Sequence, residues 1–340
     1  MSSDEESTEG ADIYLTLDYN IQYLAEKLLR EIKENLNIEG GTIIVMEPSS
    51  GKILAMANFP NFNPNDYSKT EDFKIFQNGA IQKFFEPGSM FKTITMASAL
   101  NEEKITPETI YIDKGEVKIG GYTIYNFNKK IWGEKSMTEV LENSINTGAV
   151  FVQKQLGKDI FLKYLEKFNF FKPTDVDLKG EIYSENKELK KGYEINFATA
   201  SFGQGIEITP LQLVRAVGAI ANGGKLVKPY LVEKIVREKE TIETKPEISL
   251  EPIISSKTIS QLTAMMVSVV DNGGAKRAKI PGYFIAGKTG TSQIPFPSLG
   301  ISKKGYSDKT WQSFVGFAPA FNPRFVILVK LDNPGSKEAS

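Results

Sequence analysis

Neither histidine nor cysteine occurs among the 340 residues. That double absence excludes Ser-His-Asp and Cys-His arrangements, disulfides, and nearly all zinc and copper ligand sets. A base working near neutral pH must then be a shifted lysine, carboxylate or tyrosine. Missing cysteine suits an oxidising compartment, yet many cytosolic chains also have few, so no compartment follows from it. There is also no apolar run of about 18 residues, the length a membrane helix needs. The opening MSSDEESTEG is acidic and polar, unlike a signal peptide. A charge excess of either sign is missing too: 41 Lys and Arg face 42 Asp and Glu, and the basic residues are scattered, so nothing points to nucleic acid. A small or peptide-like substrate is expected.

What is present is an ordinary globular balance, 41% hydrophobic and 24% charged. Residues 1–11 read as a disordered leader or expression scar. From Asp12 to Asn35 a short strand-like run leads to Asp18 as N-cap, followed by Ile21, Leu24, Ala25, Leu28, Leu29 and Ile32 at helical spacing. Gly41–Glu47 and Lys52–Asn58 read as a hairpin around Pro48-Ser49-Ser50-Gly51. Helical periodicity then runs through Phe91–Leu100, Met137–Leu156, Ile160–Phe168 and Pro210–Ala221. A strand at Tyr230–Arg237, a helix at Ser256–Val270 and three β-type runs (Tyr283–Gln293, Trp311–Phe317, Arg324–Leu331) close the chain. The expected architecture is α/β of the α+β kind, one antiparallel sheet flanked by helices plus a mainly helical lobe. The sheet lobe is drawn from about 12–89 and 225–334, and the helical lobe from about 90–224.

Three short patterns stand out: Ser-x-x-Lys at Ser89 and Lys92, Ser-x-Asn at Ser144 and Asn146, and Lys-Thr-Gly-Thr at Lys288, Thr289, Gly290 and Thr291. The first two are common alone, as Ser49–Lys52, Ser184–Lys187 and Ser184–Asn186 demonstrate in the same chain. Context separates them. Ser89 follows a Pro-Gly turn and opens an apolar helix, so Lys92 comes beside it one turn on, where the helix dipole favours developing negative charge. Ser49 lies in a hairpin turn and Ser184 in a polar loop. Lys288 is flanked by glycines within a strand, where glycine often marks close approach of a backbone or ligand. Strand alternation puts Lys288 and Gly290 on one face, Thr289 and Thr291 on the other. Singly, each has a bland explanation: Ser89 an N-cap, Asn146 a turn residue, Lys288 a solvated strand lysine. Their joint order and setting favour a site. Phe84, Phe85, Met90 and Phe91 read as packing.

With these residues in view, the chain resembles the penicillin-binding protein transpeptidases, whose three active-site motifs match in order. The stretches GGTIIVMEPSSGKILAMANFPNFNPNDY, FEPGSMFKTIT, SFGQGIEITPLQL, AIANGG, GKTGTSQ and SFVGFAPAFNPRFVILV look like that family's blocks over roughly residues 12–334. The match is to the class B, monofunctional branch, and Glu86 before Pro-Gly-Ser leans it toward division-type proteins. Asn78-Gly79-Ala80 stands where Asn-Arg-Ala is common, which puts one supporting salt bridge in doubt. The expectation is an excised catalytic domain, 12–340, lacking an anchor, a pedestal and a closing helix.

The resemblance implies a penicilloyl-serine transferase or β-lactamase-like fold with a five-stranded sheet, and no cofactor or metal. It implies cross-linking of peptidoglycan stem peptides ending in D-Ala-D-Ala, acylation by β-lactams, an extracytoplasmic membrane-anchored full-length protein, and a glycan polymerase and division proteins as partners. Ser89 would attack, Lys92 act as base, Ser144 relay a proton, Asn146 hold Lys92 and the donor amide, Lys288 and Thr289 bind a carboxylate, and the Ser89 and Thr291 amides form an oxyanion hole. A free lysine titrates near 10.4, so Lys92 needs lowering by about three pH units, roughly 4 to 5 kcal/mol, by burial and by Lys288. A β-lactamase or β-lactam sensor of the same fold is the alternative. It would need a carboxylate placed for deacylation, with Glu181 the best placed and Glu185 four residues on.

Overall fold

The structure, a computed structural model, describes residues 10–335. The first nine residues of the expected leader lie outside the described residues. A short strand β1 (Asp12–Leu15) precedes α1 (Tyr19–Leu36), capped as expected by Asp18, whose side chain accepts from the amides of Asn20 and Ile21. The hairpin β2 (Gly40–Met46) and β3 (Ile53–Phe59) follows. A 3-10 turn at Gly88–Phe91 feeds α2 (Lys92–Asn101), buried along nearly its whole length. Four short strands come next, β4 (Ile110–Asp113), β5 (Glu116–Ile119), β6 (Tyr122–Tyr125) and β7 (Gly133–Ser136). Helices α3 (Met137–Glu142), α4 (Asn146–Leu156), α5 (Lys158–Lys167), α6 (Lys187–Lys190), α7 (Glu194–Ala200) and α8 (Pro210–Ala221) complete the middle. The chain closes with β8 (Val232–Arg237), β9 (Glu240–Glu243), α9 (Ser256–Asp271), β10 (Ala286–Pro295), β11 (Tyr306–Ala318) and β12 (Phe325–Asp332).

The main sheet has five antiparallel strands in the order β10-β11-β12-β2-β3, joining the first hairpin to the last three strands as expected. The join is β12 against β2, with Leu328 opposite Ile44 and Val329 opposite Ile43. Residues alternate between faces, so two cores form. Ile43, Val45, Ala55 and Ala57 pack under Ala25 and Leu29 of α1. Ile44, Met46, Val326 and Leu328 face the larger core with α8, α2 and α9. Helix α8 is buried nearly all round, which explains its almost uninterrupted apolar sequence. Its capping box, Thr209 with Gln212, supplies the N-terminal partners that such burial demands. No helix among the described residues is long and apolar enough to cross a membrane.

Three expectations change. The continuous helical stretch Met137–Leu156 is two helices, because Ser144 adopts φ +55 and turns the chain between them. The middle segment is less helical than periodicity suggests, since the four strands β4–β7 occupy 110–136 in two-stranded pairs. β10 begins at Ala286, with Tyr283 and Phe284 exposed before it, and β1 pairs with β8 in a separate three-stranded sheet.

Candidate active site

Ser89 sits within the 3-10 turn that enters α2 and is not that helix's N-cap; Phe91 holds the capping position with no side-chain bond. The turn is pressed against β10, the edge strand of the sheet. A Cβ on Gly290 would lie 2.8 Å from the Pro87 carbonyl, and one on Gly88, at φ +54, 2.9 Å from the Thr291 carbonyl. Glycine at both positions lets the two backbones meet directly. One helical turn after Ser89, the Lys92 side chain is fully buried, its Nζ 3.0 Å from Ser89 Oγ.

Four oxygens surround the Lys92 amine. Nζ donates to the Ser144 carbonyl at 2.6 Å and to Asn146 Oδ1 at 2.7 Å, and lies 3.2 Å from Ser144 Oγ as well as near Ser89 Oγ. The Asn146 amide is oriented by its own Nδ2, which donates to the Tyr125 carbonyl at 3.2 Å. A carbonyl and an amide oxygen only accept, so a neutral Lys92 spends both its protons on them and turns its lone pair toward the hydroxyls. Burial, and then repulsion from Lys288, hold this amine well below the ordinary lysine range.

Lys288 is no solvated strand lysine: it too is fully buried, and burial lowers it to about 7. Its Nζ donates to the Thr289 carbonyl at 3.1 Å, and no carboxylate among the described residues forms an ion pair with it or with Lys92. The strand alternates as expected, Lys288 and Gly290 inward, Thr289 half-buried and Thr291 exposed along the outer face. Two fully buried lysines without a carboxylate partner, beside the sheet's edge strand, favour an anion there.

The second turn is less local. Ser144 and Asn146 arrive between α3 and α4, and the fold brings them to Lys92 from 52 and 54 positions away. Periodicity missed this break and the groups behind it. Behind the turn, Asp113, Asn126 and Thr147 share hydrogen bonds, and their one local signal was the Asp-Lys-Gly turn at 113–115. Glu86, in the sequence only a family marker, is buried and accepts from the Tyr306 hydroxyl at 3.1 Å, and burial raises its carboxyl to about 7.

The two carboxylates of the lactamase alternative have partners away from Ser89. Both Glu181 oxygens are committed to one loop, accepting from the Thr174 amide at 2.7 Å and hydroxyl at 2.5 Å and from the Asp175 amide at 3.0 Å. Glu185 is exposed and pairs with Lys187. At the Asn78-Gly79-Ala80 departure, a Cβ on Gly79 would stand 2.9 Å from Asn58 Oδ1. Asn58 instead links Thr42 to Asn78, at 2.9 and 3.0 Å, where an arginine would otherwise begin.

Comparison with known proteins bears on the family and the fold. The family model described as the penicillin binding protein transpeptidase domain matches residues 41–340. The Stage V sporulation protein D of Bacillus subtilis (strain 168) is 34% identical over 330 residues, covering 96% of this chain and 50% of that protein. A peptidoglycan D,D-transpeptidase FtsI homolog of Mesostigma viride is 32% identical, covering 95% and 57%. The chain thus spans about half the length of these curated relatives. Among solved structures, penicillin binding protein 3 of Mycobacterium tuberculosis complexed with aztreonam superposes with a TM-score of 0.87 at 29% identity, over 97% of this chain and 75% of that one. The fold, the histidine-free serine and lysine cluster and these likenesses together establish that the chain belongs to the penicillin-binding protein transpeptidase domain family.

Proposed function

We propose that the chain is the D,D-transpeptidase domain of a peptidoglycan-synthesising protein, acting through an acyl-enzyme on Ser89. One observation carries the reading: the fully buried Lys92 amine, 3.0 Å from Ser89 Oγ, with its two donor bonds absorbed by Ser144 and Asn146. The Ser89 proton passes to Lys92 as Oγ attacks the carbonyl of the penultimate D-alanine. Amides of Ser89 and Thr291 then face the developing oxyanion, which is the largest electrostatic contribution to such a step. A charged Lys92, buried beside Lys288, is costly and readily returns its proton. Ser144 Oγ, 3.2 Å away, relays it to the departing D-alanine amine, and the amine of a second stem peptide then takes the acyl group. Lys288 with Thr289 receives the terminal carboxylate, which gives Lys288 an anionic partner.

The β-lactamase alternative needs a carboxylate free to activate water. Glu181 is consumed in its loop, which favours a long-lived adduct over hydrolysis. The substrate class places the work on the outer side of the cell membrane. Docking to a glycan polymerase and to division proteins belongs to the full-length protein, and co-purification from membranes tests it.

Intact mass spectrometry after incubation with a penicillin tests the core reading. The expected result is a mass increase equal to the whole drug, persisting for many minutes and absent in Ser89→Ala. Rapid multi-turnover hydrolysis with no trapped adduct would replace the transpeptidase reading with a β-lactamase.

A further inference from the structure

Helix α4 carries Asn146 in its first turn, yet its capping residue is Ile145, which has no side-chain oxygen to offer the helix's free amides. The cap comes from elsewhere. Asn126 Oδ1 accepts from the Thr147 amide at 3.1 Å, and the Thr147 hydroxyl donates to Asp113 Oδ1 at 2.6 Å. Asp113 is 2% exposed, and each of its oxygens has two donors: the Gly115 amide at 3.0 Å with Thr147 on one, Asn126 Nδ2 at 2.8 Å and the Trp132 amide at 2.8 Å on the other. Burial alone would raise this carboxyl. The bonds from Thr147, Gly115, Trp132 and Asn126 outweigh it and keep the group ionised.

The same loop fixes the neighbouring side chain. Tyr125, next to Asn126, offers the carbonyl that orients the Asn146 amide toward Lys92. Just upstream, Ser144 holds a left-handed conformation that a non-glycine residue adopts only under constraint from its surroundings. A cluster outside the reacting groups therefore supports the helical turn that carries Asn146.

We propose that Asp113 is a positioning residue for acyl transfer: acting through Asn126 and Thr147, it clamps the first turn of α4 and so holds Asn146 against Lys92. The inference rests on the acyl-transfer reading of Ser89. Asp113 touches neither Lys92 nor Ser89 in the hydrogen-bond network, so its effect must pass through Asn146.

The test measures acylation by a fluorescent penicillin, resolved into noncovalent binding and the acylation rate constant, with circular dichroism to verify folding. Asp113→Asn places an amide hydrogen among four donors, and Thr147→Val removes the hydroxyl. Each should lower the acylation rate constant by roughly tenfold to a hundredfold while binding changes little, the pattern of a misplaced reacting group. Thr147→Ser, which keeps the hydroxyl, should restore the rate to within about threefold. In an Asn146→Ala background the Asp113→Asn loss should shrink to about threefold or less, because both act on one interaction. Undiminished loss in that background, or native rates in folded Asp113→Asn and Thr147→Val, would overturn the clamp. If Asp113→Asn does not fold, the Thr147→Val and Thr147→Ser pair decides the question alone. A native chain unlabelled on Ser89 would instead overturn the acyl-transfer reading, and the clamp with it.

Discussion

Ser89 and Lys92 meet wherever one helical turn forms, whereas Ser144 and Asn146 reach Lys92 from 52 and 54 residues away, on a turn leading into a helix capped from a separate strand excursion. The first turn needs close packing: glycines at 88 and 290 let it lie on β10, and α2 buries the lysine. The second needs polar partners supplied from 113–132, and it carries a backbone conformation unfavourable to serine. The proposed nucleophile and base are thus set by local spacing and burial, and the groups around the proposed base are set by remote hydrogen bonds. Substitutions should divide the same way. Those at Ser89 and Lys92 should change chemistry outright, and those in the 113–132 support of the second turn should change its geometry.

The largest effect should come from breaking the local half. Arginine in place of Lys92 keeps the charge but does not deprotonate. Labelling of Lys92→Arg by a fluorescent penicillin should fall by about a thousandfold or more, at the upper part of the range for loss of a general base. Native-rate labelling would remove Lys92 from the base role.

Next is the buried Lys288 amine, which has no carboxylate partner among the described residues. Lys288→Ala should slow acylation by carboxylated substrates roughly tenfold to a hundredfold, the worth of a charge-assisted hydrogen bond, and affect esterified analogues much less. Equal losses, measured by competition against the same label, would make Lys288 solely an electrostatic partner of Lys92.

Glu86 sharpens the contrast by adding a pH-sensitive group to the first turn. Its carboxyl is raised by burial from the ordinary 4.5 to about 7, so the folded state binds the extra proton between those values. Stability should therefore fall as pH rises from about 4.5 to 7 and stay lower above that. Glu86→Gln cannot ionise and should be more stable than the native chain at pH 8, by up to about 3 kcal/mol, and nearly equal to it at pH 4.5. Urea unfolding at the two pH values measures the difference. A pH-independent gap would mean that Glu86 does not titrate there.

The smallest effect separates geometry from chemistry at the second turn. Ser144→Gly should stabilise the fold by about 0.5–1 kcal/mol, since glycine accepts φ +55 without a steric cost. The same variant should lose acylation by at least about tenfold, having no hydroxyl to relay the proton. A stabilised variant with native acylation would eliminate the relay.

Residue spacing made the first turn legible, and period-two alternation made the sheet's two halves and the inward face of Lys288 legible as well. The break at Ser144 was hidden because no residue type there announces a positive φ; a glycine or asparagine would have done so. Strands β4–β7 are only four residues each, too short for a periodic signal, and so the middle of the chain read as helix. Burial of Lys288 follows from how α2, α9 and β10 pack, which no local window contains. The role of Asp113 depends on Asn126 and Thr147, 13 and 34 residues away, so only the assembled fold reveals it.

If burial leaves Lys92 a neutral amine able to take the Ser89 proton, its charge state is directly measurable. Lysine labelled with 13C at Cε, with Lys92→Arg and Lys288→Ala to assign the two signals, reports each amine's charge directly by NMR titration. A Lys92 resonance already neutral far below the range of the surface lysines is expected, and a Lys288 resonance titrating near 7. Both signals titrating with the surface lysines, near about 10.4, would contradict it.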